Sequence, residues 1–152
     1  MAKKSIVMRQ GQAQRVQIEK AAAAALYPGH MLELTTADKV QKHSTQNGIA
    51  TPPMFALEDE NQGNDITDAF AADDKVVSWI PQKGDWVLAV LADGQTATIG
   101  AKLASNGDGT LKVHTSAIVA IAMEALDLSD SSGAETADAE LGYDKRLWVM
   151  IV

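Results

Sequence analysis

Short apolar segments alternate with polar turn residues over most of the chain after Gly29. The segments Met31–Leu34, 54–57 and 76–80 are too short for stable helices and are rich in aliphatic, β-branched or aromatic residues. Runs of this kind, bounded by glycine, proline, asparagine or aspartate, are typical of β-strands. Residues 86–91 are apolar on both faces, which predicts a deeply buried strand. The same pattern predicts further strands at residues 96–99, 111–113, 118–123 and 147–152.

Turn residues recur at close spacing along the same region. Asn47-Gly48 predicts a tight turn, and Asp93-Gly94 predicts a hairpin. Residues 21–25 are an alanine run, which favours one helical turn that Tyr27-Pro28-Gly29 would end. No long helical period and no alternation of strands with helices is visible. The predicted fold class is therefore all-β, with a small β-barrel or β-sandwich as its body.

The N-terminal part of the chain differs from the rest in charge. Residues 1–26 carry five basic residues against Glu19 alone, a sum of +4, so the remainder sums to −11 within the net charge of −7. Residues 15–19 alternate polar and apolar side chains, as a strand with one buried face does. These features predict an extended N-terminal arm at 1–26 and a body at 27–152. A basic arm on an acidic body indicates contact with an acidic partner surface, and an ordinary solubilising tail is the alternative.

Composition excludes several classes of partner and site. A net charge of −7 disfavours nucleic acid, because phosphate binding needs a concentrated basic surface. No apolar run approaches the roughly 20 residues that span a bilayer, so no membrane partner is expected. The absence of cysteine excludes disulfides and thiolate metal sites. No apolar stretch of signal-peptide length follows Lys3 and Lys4, so the protein is expected to be made in the cytoplasm.

Candidate catalytic residues are few. His30, His43 and His114 are far apart in sequence and lack the paired spacing of a zinc site. Asp85 and Asp108 each follow a glycine in a predicted turn, where aspartate is favoured for its hydrogen bonds to the backbone. No enzymatic activity and no cofactor are therefore expected.

Two acidic segments, 58–74 and 128–141, are predicted to be surface loops. Asp59, Asn61 and Gly63 resemble the start of a calcium-binding loop, but Asn64 stands where the sharp turn of such a loop needs glycine. Solvated loops are therefore favoured over a metal site, and the sequence leaves their role open.

Several short motifs follow one another along residues 26–152. The motifs are Tyr27-Pro28-Gly29-His30-Met31-Leu32-Glu33-Leu34, His43, Phe55-Ala56-Leu57-Glu58-Asp59-Glu60, Gln62-Gly63, Ile66-Thr67-Asp68-Ala69-Phe70, Lys83-Gly84-Asp85, residues 94–100, residues 103–111, Ile121-Ala122-Met123-Glu124-Ala125 and Arg146-Leu147-Trp148-Val149. Their order resembles a family of phage head decoration (cement) proteins, and the resemblance covers about residues 26–152.

This resemblance implies a structural virion protein, assembled in the host cytoplasm and displayed on the capsid exterior. Its β-barrel body would bind as a homotrimer at three-fold and quasi-three-fold positions of the capsid lattice. Its arm would lie on the major capsid protein. The predicted capsid-contact residues are the basic ones of the arm: Lys3, Lys4, Arg9, Arg15 and Lys20.

A barrel-sandwich carrier or small-ligand-binding module is the alternative function. Gly84-Asp85, followed by Gly100 and Leu103, resembles the turn rhythm of lipoyl-type domains. The modified lysine of such carriers lies at a hairpin tip beside acidic residues or methionine. Lys102 and Lys112 lack that setting, so this alternative is the weaker one.

Overall fold

The computed structural model describes residues 7–10, 16–50, 52–130 and 145–152, with backbone alone for 8–10 and 16. The described residues form thirteen β-strands, one 3-10 turn at Glu60–Gln62 and no α-helix, which confirms the all-β prediction. The strands are β1 (Met8–Gln10), β2 (Val16–Ala21), β3 (Met31–Leu34), β4 (Val40–Lys42), β5 (Met54–Ala56), β6 (Lys75–Ile80), β7 (Trp86–Val90), β8 (Thr96–Ala97), β9 (Lys102–Ser105), β10 (Leu111–Val113), β11 (Ala120–Ala122), β12 (Leu126–Asp127) and β13 (Arg146–Ile151).

The first sheet has five strands in the order β2-β6-β5-β3-β4. Its two edges meet at a parallel bridge between Ala22 and Val40, so the sheet curls into a barrel-like form. Alternate residues of each strand point into the curl. Leu26 and Phe70 pair with each other and are buried with this inner face. The buried residues of this cluster also include Leu32, Met54, Ala56 and Val76.

The second sheet has six strands in the order β1-β7-β13-β11-β9-β10. Leu91, directly after β7, bridges Leu111 in β10, so this sheet also curls on itself. Paired residues such as Val87 and Val149 share one face of the sheet. A separate two-stranded ribbon of β8 and β12 contributes Ala97 to the same core. Other buried members are Ala89, Leu103, Ala120, Ala122, Leu147 and Ile151.

The strand predicted to be deeply buried is β7. Residues 87–90 are at most 1% exposed. The strand lies between β1 and β13 in the six-stranded sheet and has protein on both faces. Both its faces need apolar side chains, which explains the unbroken apolar run and confirms the prediction.

The described parts of the predicted arm are extended strands that pair with the body. β2 pairs with β6 along its whole length, and β1 pairs with β7. The buried Val7 precedes β1, and its carbonyl accepts a hydrogen bond from the Leu88 N–H at 2.6 Å. Its own N–H donates to Glu58 Oε2 at 3.1 Å. Burial raises the pKa of this glutamate. Two strands of the arm are thus built into the two different sheets.

The alanine run at 21–25 does not form the predicted helical turn. Ala21 ends β2, and the Ala22 N–H donates to the Asp74 carbonyl at 2.8 Å. The Ala23 N–H donates to the Val40 carbonyl at 2.8 Å. Five alanines offer too few helical hydrogen bonds to compete with these tertiary ones, so their high helix propensity does not decide the structure.

The Asp93-Gly94 pair forms a turn but not the predicted hairpin, because β7 and β8 belong to different sheets. Gly94 has a φ of 76°, whereas Asp93 is not among the residues with positive φ. A type I′ hairpin needs positive φ at both positions. The Asp93 carboxylate instead pairs with the ammonium of the buried Lys145.

The apolar pattern does not predict β4 or β9. Two of the three residues of β4 are polar, and the strand forms because it pairs with β3 in a hairpin. β9 is held between β10 and β11. The loop at 58–74 lies on the surface as predicted, yet its Ile66 and Phe70 are buried and fix it to the body.

Candidate functional site

An open apolar groove lies where β2 begins and β6 ends. It has a volume of about 310 Å³. Ile18, Leu32, Met54 and Ile80 contribute to its lining from four different strands of the five-stranded sheet. The remaining lining residues are Glu33, Leu34, His43, Ile49, Ala50 and Pro52.

The groove follows from the curl of the sheet. Register places Leu32 directly opposite Met54 in the neighbouring strand. Ile18 lies opposite Ser78, and Ile80 follows Ser78 by two residues, so Ile18 and Ile80 point to the same side of the sheet. The four apolar side chains therefore share one face. The sheet edges bridge at Ala22, away from Ile80, and among the described residues no strand pairs across the curl at the Ile80 end. The inner face of the sheet is therefore open to solvent at this end.

Glu33 fixes the loop that forms one wall of the groove. Its Oε1 accepts hydrogen bonds from the Ser44 hydroxyl at 2.5 Å and the Ser44 N–H at 3.3 Å. The same oxygen accepts a hydrogen bond from Gln41 Nε2 at 2.7 Å. Burial raises the pKa of Glu33, but these hydrogen bonds and the nearby His43 outweigh it, so the pKa lies below its ordinary value. An ionised carboxylate therefore stands beside an apolar groove at neutral pH.

His43 connects the groove to the six-stranded sheet. Its Nδ1 lies 2.7 Å from the Ser105 hydroxyl, and its Nε2 lies 3.8 Å from Glu33 Oε2. The ring is almost fully buried. Its polar contacts connect the five-stranded sheet to the six-stranded sheet, which is a structural role.

Of the predicted capsid-contact residues, only Lys20 has its side chain among the described residues. Lys20 Nζ lies 2.5 Å from Asp38 Oδ1, so its charge is already paired within the protein. Arg9 lies in β1, where the backbone alone is described, and Lys3, Lys4 and Arg15 lie outside the described residues. Four of the five predicted contact side chains therefore lie outside the described side chains, and the fifth has an internal partner.

His30, directly before β3, is a second buried histidine. Its Nδ1 accepts a hydrogen bond from the Tyr27 N–H at 3.1 Å, which places the ring proton on Nε2. Burial, together with the charges of Lys42 and Arg146, lowers the pKa of His30 from 6.5 to about 3. The ring is fully buried and hydrogen-bonded to the backbone of its own turn, as is typical of a structural histidine.

We expect His30 to make the fold acid-sensitive. Unfolding restores its ordinary pKa, so the unfolded chain binds more protons between pH 6.5 and about pH 3, and stability falls as the pH falls through this window. At about 1.4 kcal/mol per pH unit, the loss between pH 6.5 and pH 5 is about 2 kcal/mol. Urea denaturation across this range measures it.

His30→Asn, which keeps a hydrogen-bond acceptor near Nδ1, should reduce this slope. His114→Asn is the matched control, since His114 is only partly buried on a surface turn. Equal pH slopes for wild type and His30→Asn would contradict the assignment.

The carboxylates considered for catalysis stabilise turns. Asp85 Oδ2 accepts a hydrogen bond from the Gln82 N–H at 2.8 Å. Asp108 accepts hydrogen bonds from both the N–H and the hydroxyl of Thr110. Within the described ranges, no group of three or more His, Asp or Glu residues is placed to hold a metal ion. Nor does that part of the chain contain a helix long and apolar enough to cross a membrane.

Sequence reasoning missed the groove. Two of its large apolar residues, Leu34 and Ile49, are 53% and 79% exposed. Ile49 is an isolated isoleucine in a polar loop before Pro52, and that isolation is the one feature of the sequence that indicates the groove.

No protein-family model and no curated protein sequence matches the chain. Function is therefore inferred from the order of its motifs and from its own geometry.

Proposed function

We propose that this protein is a structural virion component that binds the outer surface of an assembled phage capsid. It bridges neighbouring major capsid protein subunits and stabilises the shell, as a homotrimer at three-fold and quasi-three-fold positions. The observation that carries the proposal is the solvent-exposed groove of the five-stranded sheet, whose lining residues are mostly apolar. The ordered motifs of residues 26–152 support the same function.

An exposed concave apolar surface marks a place where another molecule binds. The polar residues considered for chemistry have structural partners instead: Asp85 and Asp108 fix turns, and His30 and His43 pack between elements. A stable protein contact buries about 800 Å² on each partner, which exceeds the area of the groove alone. Further contacts are therefore expected from the arm.

The arm supplies charge of the opposite sign to the body. Residues 1–26 sum to +4, and the pairing of Lys20 with Asp38 removes one of these charges from the surface. Lys3, Lys4, Arg9 and Arg15 are then the arm's basic candidates for contact with acidic groups of the capsid. Weak contacts repeated over a lattice add up through effective concentration, and a ligand that prefers the assembled shell stabilises that shell by mass action.

Co-sedimentation with undecorated, expanded capsids tests the proposal. Wild-type protein is expected to saturate a defined number of sites per capsid. Failure to bind at any concentration up to high micromolar would overturn the proposed function.

A Lys3→Glu/Lys4→Glu double variant is expected to weaken capsid binding by roughly tenfold. Exposed charge pairs contribute up to about 1 kcal/mol each, and about 1.4 kcal/mol is tenfold in affinity. Lys75→Glu/Lys83→Glu, at two exposed positions outside the arm, is the control matched in charge. Equal affinities for the two variants would refute the role of the arm. Deleting residues 1–20 is a poorer test, because it removes nearly all of β2.

The groove also favours a second candidate, a small-ligand-binding module. Its volume of about 310 Å³ lies at the lower end of the range for small-molecule sites. An apolar ligand that raised the melting temperature of wild type, but not of an Ile80→Asp variant, would support this function. Intact mass tests the covalent-carrier form, which requires a modified Lys102 or Lys112.

A further inference from the structure

The groove is open on one side, so it would enclose a small molecule only in part. Typical small-molecule sites bury 70–90% or more of the ligand surface. Here the rim residues Leu34 and Ile49 are 53% and 79% exposed, so a ligand in the groove would keep one side in water. A groove of this shape suits a protruding apolar side chain of another protein.

The same chain carries such a side chain. Ile99 is 73% exposed and lies on the turn between β8 and β9. The Gly100 N–H donates to the Ala122 carbonyl at 2.7 Å, and the Ala101 N–H donates to the Thr98 carbonyl at 3.0 Å. These hydrogen bonds fix the turn, so the isoleucine is presented on an ordered backbone. A side chain that is already positioned loses little entropy when it docks.

The charges beside the two surfaces are opposite. Lys102 is exposed and follows Ile99 by three residues. Glu33 lines the groove, and its hydrogen bonds from Ser44 and Gln41 hold it in the ionised form. A lysine brought beside this carboxylate would meet a complementary charge at the edge of an apolar contact.

We propose that Ile99 of one copy of this protein docks into the groove of a second copy, with Lys102 beside Glu33. The contact joins two different surfaces, so it is head-to-tail, and repetition closes a ring if the rotation between copies permits. This contact rests on the proposed function, because binding to the capsid is what holds the copies side by side. It adds to that function which two surfaces meet. One side chain buries too little area for a tight complex alone, so crowding on the shell is expected to strengthen it.

Cysteine cross-linking tests the contact cleanly, because the chain has no cysteine of its own. Thr98→Cys, which is exposed and leaves the docking Ile99 in place, and Ile49→Cys are purified separately, mixed in equal amounts and treated with a short bismaleimide. The mixed pair is expected to give at least fivefold more covalent dimer than either variant alone. Thr115→Cys, exposed and outside the groove, replaces Ile49→Cys in the control mixture.

Charge reversal provides a second measurement. Lys102→Glu in the Thr98→Cys chain is expected to lower the mixed cross-link yield at least threefold. Glu33→Lys in the Ile49→Cys chain should restore it when the two are mixed. Circular dichroism of each variant checks that it is folded. If Glu33→Lys disturbs the Ser44 loop, the cross-link yield of Lys102→Glu alone decides the test.

The outcome also separates this contact from capsid binding. Cross-linking is performed on free protein at high concentration and again on decorated capsids. A yield no greater than that of the Thr115→Cys control in both settings would overturn the contact even if the protein decorates capsids. Specific cross-links without capsid binding would instead leave the contact standing and remove the proposed function.

Discussion

Arg146→Ala is expected to lower the free energy of unfolding by about 3–5 kcal/mol. The guanidinium is buried and donates to the Pro28 carbonyl from Nε at 3.2 Å and from Nη2 at 3.1 Å, and to the Ile66 carbonyl from Nη2 at 2.7 Å. Alanine would leave both carbonyls without this donor, at about 1–3 kcal/mol each, and would open a cavity. Burial also lowers the pKa of Arg146 to about 10, so the charge remains at neutral pH.

Urea or thermal unfolding of Arg146→Ala measures this effect. Lys39→Ala is the matched control, since it removes a cation that forms an exposed ion pair with Asp73 at 2.5 Å. That pair should contribute less than about 1 kcal/mol. Equal stability of the two variants would contradict this role of Arg146. The six-stranded sheet would then be held to the turn at Pro28 and the loop at Ile66 by other contacts.

Gly29→Ala is expected to cost about 2–5 kcal/mol. Gly29 has a φ of 92°, a conformation that costs other residues about 1–2 kcal/mol. A Cβ there would lie 2.8 Å from the Leu88 carbonyl oxygen and 3.2 Å from Arg146 Nε. The oxygen belongs to the backbone of a buried strand, so relieving the clash shifts β7 itself, at about 1–3 kcal/mol more.

Gly84→Ala separates the two contributions to that cost. Gly84 has nearly the same φ, 91°, but nothing lies within 4 Å of a Cβ built there. It should therefore show the backbone cost alone, and the difference between the variants should be about 1–3 kcal/mol in chemical denaturation. Equal losses would mean that the packing of the turn against β7 is loose enough to admit a methyl group.

Local sequence patterns predicted much of the strand content. The apolar run at β7 and the alternation at β2 are visible because side chains alternate between faces every two residues. The turns at Gly29 and Asn47-Gly48 are visible because glycine and asparagine tolerate positive φ; Asn47 has a φ of 55°. β4 and β9 escaped prediction because pairing with neighbouring strands, rather than their own composition, makes them extended.

The candidate site was much less predictable. Leu34 and Ile49 look like ordinary apolar positions in sequence, and nothing local shows that both remain exposed. Ile18 and Ile80 meet them only because β2 pairs with β6 and the sheet edges bridge at Ala22. Of the basic residues predicted to touch a capsid, Lys20 has an internal partner in Asp38, a contact between positions 18 residues apart that no local pattern indicates.

The sequence by itself determined that the chain is all-β, that β7 is buried, and that charge is divided between a basic start and an acidic remainder. These properties depend on alternation, turn chemistry and composition, which act over a few neighbouring residues. Only the tertiary structure decided that each large sheet curls on itself, that Arg146 joins β13 to the turn at Pro28 and the loop at Ile66, and that a groove stays open beside Ile80. Such features require contacts between distant residues, as with Arg146 and Pro28, and their geometry is set by strand register and sheet twist.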